Sequence, residues 1–375
     1  RTHMEYRRLG RTELKVSLLG VGCGYLGMLE RAEGRRLLER AFALGINYFD
    51  GRYGDSNRML SPLVRRHRDS CIIVTKTRSP TAEGAVARID EDLTELDSDY
   101  IDIFLLRVYN HDMFKEYLAP GGAMEGLQRA REAGKVRFIG LSGHSDLTAL
   151  AAGVETDLVD VVLFPLNLVR REAMEQFVPI AQAHDVGLAV MKPVSVGMAP
   201  AEISLRWLAN QPIHTMVPGM TTMEHLKVDV AAVEREPLAL SVKEQSEVER
   251  LQSDLASKAC HQCGDCGPCP EGIRPIYQMI YSDVWYNHYR NMGLQAFLEH
   301  PWAAWGKKGL EAHFSQRLSE LQACTRCGLC EERCPHHLPI MDMLEQMLED
   351  HLPLIKALRE RQWTKSFHQA ASPYD

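Results

Sequence analysis

Between residues 16 and about 235, short apolar runs alternate with amphipathic stretches. The runs are "VSLLGVGCG", "INYFD", "CIIVTKT", "YIDIFLLR", "VRFIGLSG", "VDVVLFPL", "GLAVMKP" and "HTMVPGM". Each is short, rich in β-branched residues and bounded by Gly, Asp or Pro, as strands buried on both faces are. The stretches between them, such as "AEGRRLLERAFALG", "AVARIDEDLTEL" and "GAMEGLQRAREAG", place apolar residues at helical spacing, two of them ending on Gly45 and Gly134. Eight such strand–helix units predict an α/β fold, a TIM (β/α)8 barrel. A doubly wound open sheet is the alternative, but it has fewer strands, and no strand–GxGxxG–helix fingerprint is present. "GVGCGYLG" at 20–27 reads as the end of strand one and its loop.

The pattern changes after residue 240. The chain therefore reads as a barrel over 4–240 and a small α-helical, ferredoxin-like domain over 241–375. A helical stretch, "SVKEQSEVERLQSDLA", leads into "ACHQCGDCGPCPEG", and a second cysteine burst, "ACTRCGLCEERCPHH", follows some fifty residues later. The segment between them holds Tyr277, Tyr281, Trp285, Tyr286, Tyr289, Trp302 and Trp305. These rings either pack a small helical segment or line a pocket or cluster.

Composition narrows the function. The 375 residues are 45% hydrophobic and 25% charged, ordinary for a globular protein. The net charge of -7, with no basic block, argues against a nucleic-acid partner. No apolar run approaches the ~18 residues of a membrane span, and no signal-peptide pattern is present, so a cytoplasmic location is expected. There disulfides are rare, and metal ligation becomes the expected use of the ten cysteines.

Cys260, Cys263, Cys266 and Cys269 precede Pro270, and Cys324, Cys327, Cys330 and Cys334 precede Pro335. Zinc sites commonly use CxxC pairs separated by a loop. Three cysteines at three-residue steps with a fourth before proline match the bacterial ferredoxin run instead. In two-cluster folds the fourth cysteine serves the other cluster. Two [4Fe-4S] clusters are expected, one from Cys260, Cys263, Cys266 and Cys334, the other from Cys324, Cys327, Cys330 and Cys269. Cys23 and Cys71 read as small buried apolar residues.

The chain from Met4 to about Ile340 resembles the aldo/keto reductases, in the branch that carries a C-terminal ferredoxin-like module. The resemblance lies in "MEYRRLGRTELKVSLLGVG", "GINYFD", "VTKT", "DYIDIFLL", "GKVRFIGLSGHS" and "VPGMTTMEHL". It implies an oxidoreductase in which a Tyr protonates the substrate carbonyl while NADPH delivers hydride. A Lys lowers the Tyr pKa, an Asp pairs with the Lys, and a His orients the carbonyl. A phenol near pKa 10 needs such a cation to act near neutral pH. By motif, Asp50 and Lys76 match. Tyr53 follows Asp50 by three steps in "DGRYG", where the family has five. Arg107 stands where the family has histidine, with His111 four residues on. A permanently charged arginine there binds a substrate carboxylate, stabilises an enolate, or pairs with Asp50.

The resemblance also places NAD(P)(H) against Ser142, Gly143, Asn167, Lys192, Gly219, Thr221 and Thr222. Leu163 and Leu166 replace the family's Gln and stacking aromatic ring. Asp229 replaces a usual Asn, and an arginine often used for the NADP 2′-phosphate is missing. A nicotinamide-dependent carbonyl reductase is therefore one expectation. A second is a redox enzyme whose clusters exchange electrons directly with an anionic substrate, which needs ferredoxin or another donor. A non-catalytic electron-transfer subunit is the third.

Overall fold

The computed structural model describes residues 4–26, 29–51, 54–144, 146–194, 199–256, 258–280, 285–286, 289–290, 293–299 and 307–360. The chain divides into two compact units, one ending at Glu249 and the other beginning at Arg250.

The first unit opens with a hairpin that the apolar pattern does not announce. β1 (Tyr6–Arg8) pairs antiparallel with β2 (Lys15–Ser17). The run "VSLLGVGCG" is thus shared: its start belongs to the hairpin, and only β3 (Val21–Gly22) enters the main sheet. Leu9 and Val16 from the hairpin are fully buried and join the barrel's interior core. Gly10 sits at φ +48°, where a Cβ would meet the Gly187 nitrogen at 2.4 Å, so the chain can turn this close to the Gly187 backbone only with glycine.

Seven further strands follow: β4 (Tyr48–Asp50), β5 (Ile72–Thr77), β6 (Ile101–Val108), β7 (Val136–Gly143), β8 (Val161–Pro165), β9 (Gly187–Met191) and β10 (Thr215–Val217). β3 to β10 pair in sequence order, all parallel. Isolated parallel bridges Leu19–Met216 and Gly22–Gly219 bring the two edges together. The result is a nearly closed eight-stranded barrel. Helices including Arg31–Ala43, Ala82–Leu96 and Ala123–Glu132 connect the strands, and Met223–Glu234 follows the last of them. Thr81 caps the second of these, its hydroxyl accepting from the Gly84 N–H.

Side chains alternate along each strand, and one column points inward. Tyr48, Ile72, Val74, Ile103, Leu105, Val161, Leu163, Ala189, Met191 and Val217 fill the interior. Two residues beyond the last apolar member of the columns in β4, β5 and β6 stand Asp50, Lys76 and Arg107. The same alternation that packs the core therefore carries its charged ends to the C-terminal rim.

Tyr48 is fully buried, and among the described residues its hydroxyl has no hydrogen-bond partner. Burial, then the nearby Asp50, pushes this phenol well above its ordinary pKa. An unpaired buried hydroxyl costs free energy that an isosteric ring does not. Tyr48→Phe is expected to stabilise the protein by about 1 kcal/mol, read as a raised midpoint in denaturant unfolding. A lower midpoint would mean that the hydroxyl has a partner.

The second unit is helical, with Lys307–Gln322 and Ile340–Glu360 its longest elements. Phe297, Phe314, His351 and Leu354 are buried in it, and the Tyr286 hydroxyl donates to Asp350 at 2.7 Å. Among the aromatic residues expected to matter here, Trp285 and Tyr286 are buried. Tyr281, Trp302, Trp305 and the Tyr277 side chain lie outside the described residues. No helix of the described residues is long and apolar enough to cross a membrane.

Candidate active site and cysteine module

At the C-terminal rim of the barrel, Lys76 donates to Asp50 at 2.6 Å, and both side chains are buried. Strand register sets this pair, since Asp50 aligns with Val74, two residues before Lys76. A charged pair inside a packed barrel costs desolvation that only a close partner offsets. Arg107 aligns with Ser142 of β7, and Ser142 with Leu163 of β8. Arg107 has no acidic partner among the described residues, so of the three roles open to it the pairing with Asp50 is not made there: Lys76 takes that carboxylate. The His111 Nε2 lies 2.9 Å from the Thr148 hydroxyl, at an exposed position. Tyr53 lies outside the described residues.

The other expected contacts are mixed. Asn167 is buried and its amide is used internally: Oδ1 accepts from the Val169 and Arg170 N–H groups, and Nδ2 donates to the Lys192 carbonyl at 3.0 Å. Thr222 caps the helix Met223–Glu234 through the His225 N–H. The Thr221 N–H and hydroxyl both face His225 Nδ1 at 3.4 Å. A Cβ on Gly219 would strike the Tyr25 ring at 2.5 Å, so that ring fills the space beside it. Gly143 packs against Leu150. Burial raises the Asp229 carboxyl to about 7.

Two residues not singled out from the sequence complete the rim. Arg170 is buried and donates to the His144 carbonyl at 2.7 Å. His144 is held well below its ordinary pKa by burial and then by Lys192, Arg107, Arg170 and Lys76. The same group acts on Lys192, whose ammonium is lowered to about 8 by burial and by Arg170 and Arg107. The only sequence signal was that Arg170 and His144 each closely follow an apolar run. Cys23 lies beside Asp50 and Lys76 as a fully buried thiol, and Cys71 is also buried, as expected of apolar filler.

In the second unit the two cysteine runs interleave. The His261 ring, next to Cys260, stacks on His336, two residues past Cys334, with centroids 3.6 Å apart. Cys334 is also close enough to Cys266 to raise its pKa, behind the larger effect of burial. Arg333 donates to the Pro268 carbonyl at 2.6 Å. Cys269, Cys324, Cys327 and Cys330 line one cavity, together with Cys266, Ile273 and Leu344. Burial raises the thiols of Cys263, Cys266 and Cys330, which a bound cation would offset by deprotonating them. Among the described residues no three cysteine sulfurs lie within 4.8 Å of one another. Four thiolates on one tetrahedral zinc, with Zn–S near 2.3 Å, would stand only about 3.8 Å apart. The sulfur-only donor set, four cysteines in each run, fits an iron–sulfur cluster.

Residues 18–200 match the aldo/keto reductase family, and residues 259–339 match the 4Fe-4S dicluster domain. The chain joins an aldo/keto reductase domain to an iron–sulfur domain. L-galactose dehydrogenase of Arabidopsis thaliana is 27% identical over 304 residues, 67% of this chain and 95% of that protein. Pyridoxal 4-dehydrogenase of Microbacterium luteolum is 24% identical over 249 residues, 52% of this chain and 72% of that protein. Among solved structures, aldo-keto reductase AKR11C1 from Bacillus halodurans (holo form) aligns with a TM-score of 0.59 at 22% identity, covering 70% of this chain and 99% of its own. That likeness shows the fold. Family and relatives together make this chain an oxidoreductase.

Proposed function

We propose that the barrel rim interconverts a small carbonyl compound and its alcohol, with hydride exchanged with NAD(P)(H). The observation that carries this reading is the buried Asp50–Lys76 pair at the rim. Asp50 keeps Lys76 charged and fixed, and the Lys76 ammonium favours an oxyanion or a deprotonated acid–base group beside it. Arg107, on the adjacent strand, holds oxygen atoms of the substrate through its planar fork. A nicotinamide nucleotide, when bound, supplies or accepts the hydride. Ser142 and Gly143 would meet its nicotinamide end, and Lys192 would stand nearby.

A second reading has its own support. Asn167, Thr221 and Thr222 are engaged within the protein, Gly219 is covered by Tyr25, and the rim is rich in cations that oppose an oxidised nicotinamide ring. In that reading the clusters exchange electrons with an anionic substrate, and ferredoxin or a similar donor feeds them. The iron–sulfur domain would hold two [4Fe-4S] clusters with the fourth cysteines exchanged. The geometry supporting this is the closeness of Cys334 to Cys266 and the common cavity of Cys269 with Cys324, Cys327 and Cys330.

Anaerobic titration with NADPH and NADH, following nicotinamide fluorescence and cluster absorbance, separates the readings. Saturable binding is the expected result. If neither nucleotide binds at millimolar concentration, the nicotinamide reading is lost and the cluster reading stands.

A further inference from the structure

Charge at the rim does not balance. Asp50 is neutralised by Lys76. Arg107 and Lys192 remain, close enough that Arg107, like Arg170, lowers the Lys192 pKa. Among the described residues, neither Arg107 nor Lys192 has an acidic partner. Like charges are gathered at this cost where an anion completes the set.

Lys192 is placed with unusual care. It directly follows β9, the position from which barrel enzymes present their reacting groups. Its backbone is left-handed, φ +55°, which costs a residue other than glycine about 1 kcal/mol or more. The Asn167 amide holds that conformation by donating to the Lys192 carbonyl, while its other end fixes the loop bearing Arg170. Arg170 in turn binds the carbonyl of His144 after β7. One asparagine thus sets both cationic loops, and strained backbone held this way is characteristic of functional positions.

We propose that Arg107 and Lys192 are the two arms of a site for a small oxyanion, a carboxylate or a phosphate ester, and that Lys192 takes up a proton as the anion binds. The site rests on the reading that the barrel rim receives the substrate, and it names that substrate as anionic. Every charged group facing Lys192 bears on the sign. Burial, Arg170 after β8 and Arg107 from β6 disfavour its protonation; Asp50 is spent on Lys76; His144 is neutral. An arriving anion reverses the balance and raises the Lys192 pKa. Affinity is then greatest below the free-protein value of about 8 and falls as pH rises through it.

The test is calorimetry on the intact iron-loaded chain with malonate and, separately, methyl phosphate, without nucleotide. Either anion is expected to bind about tenfold more weakly at pH 9 than at pH 7, the change in the protonated fraction of a group titrating near 8. Repeating the malonate measurement in buffers of different ionisation heat should show nearly one proton taken up per anion at pH 9 and almost none at pH 7, where both the anion and Lys192 are already in their binding forms. Which of the two anions binds more tightly distinguishes carboxylate from phosphate. Lys192→Arg is expected to bind with a flat pH profile, because arginine stays charged. Arg107→Gln should lose affinity at every pH, and its proton uptake should move to higher pH, because a cation that lowers the Lys192 pKa is gone. The proposal fails if neither anion binds, or if weakening at high pH persists in Lys192→Arg. No turnover or nucleotide enters this measurement, so its failure leaves the Asp50–Lys76 chemistry intact, and a failed nucleotide titration leaves the anion site intact.

Discussion

Lys76→Met is expected to abolish turnover and to destabilise the protein, while its iron content stays unchanged. Removing one member of a buried ion pair leaves an uncompensated charge, at a cost of about 3–5 kcal/mol. Asp50 then avoids the penalty only by binding a proton. The loss of activity, at least about a hundredfold against any carbonyl substrate of the parent protein, comes from losing the cation that favours charge at the reacting oxygen. The two effects separate in the double variant Asp50→Asn, Lys76→Met. It should recover most of the stability, because neither partner is left charged, and stay inactive. Urea unfolding and steady-state rates on both variants decide the matter. Activity surviving in Lys76→Met would remove this pair from the chemistry.

The second large effect concerns iron. If the fourth cysteines cross over, Cys260→Ala and Cys334→Ala damage the same cluster. Each single variant should retain about half the iron, roughly four of eight atoms per chain, and the double variant should retain the same half. Cys260→Ala with Cys269→Ala should instead lose nearly all of it, because one cluster is damaged by each change. Uncrossed ligation predicts the reverse pattern for the two doubles. Iron analysis of anaerobically purified protein reads the answer directly, and zinc in place of iron would overturn both assignments.

The strands of the barrel were readable because parallel strands are buried on both faces, so their sequences become unbroken apolar runs. That same property hides the phase of the alternation. Nothing in "IIVTKT" tells which residues face inward, so the alignment of Asp50, Lys76 and Arg107 as the tops of inward columns emerges only from the packed structure. The hairpin was hidden because Val16 sits in an apolar run that looks like one strand but serves two. Motif resemblance located Asp50 and Lys76, which lie in tight strand-end contexts. It did not locate Arg170 or His144, whose meaning depends on three loops meeting across the barrel. The family resemblance places Lys192 against the nucleotide; its left-handed backbone and its tie to Asn167 are features of the fold alone. The cysteine runs were the most legible feature of all, because ligand spacing on a short loop is a local property.

The hairpin of β1 and β2 has a further consequence. With Leu9 and Val16 plugging the end of the packed barrel away from Asp50, Lys76 and Arg107, that end is closed by the chain's own first strands, and a small molecule reaches these charged residues only from the opposite mouth.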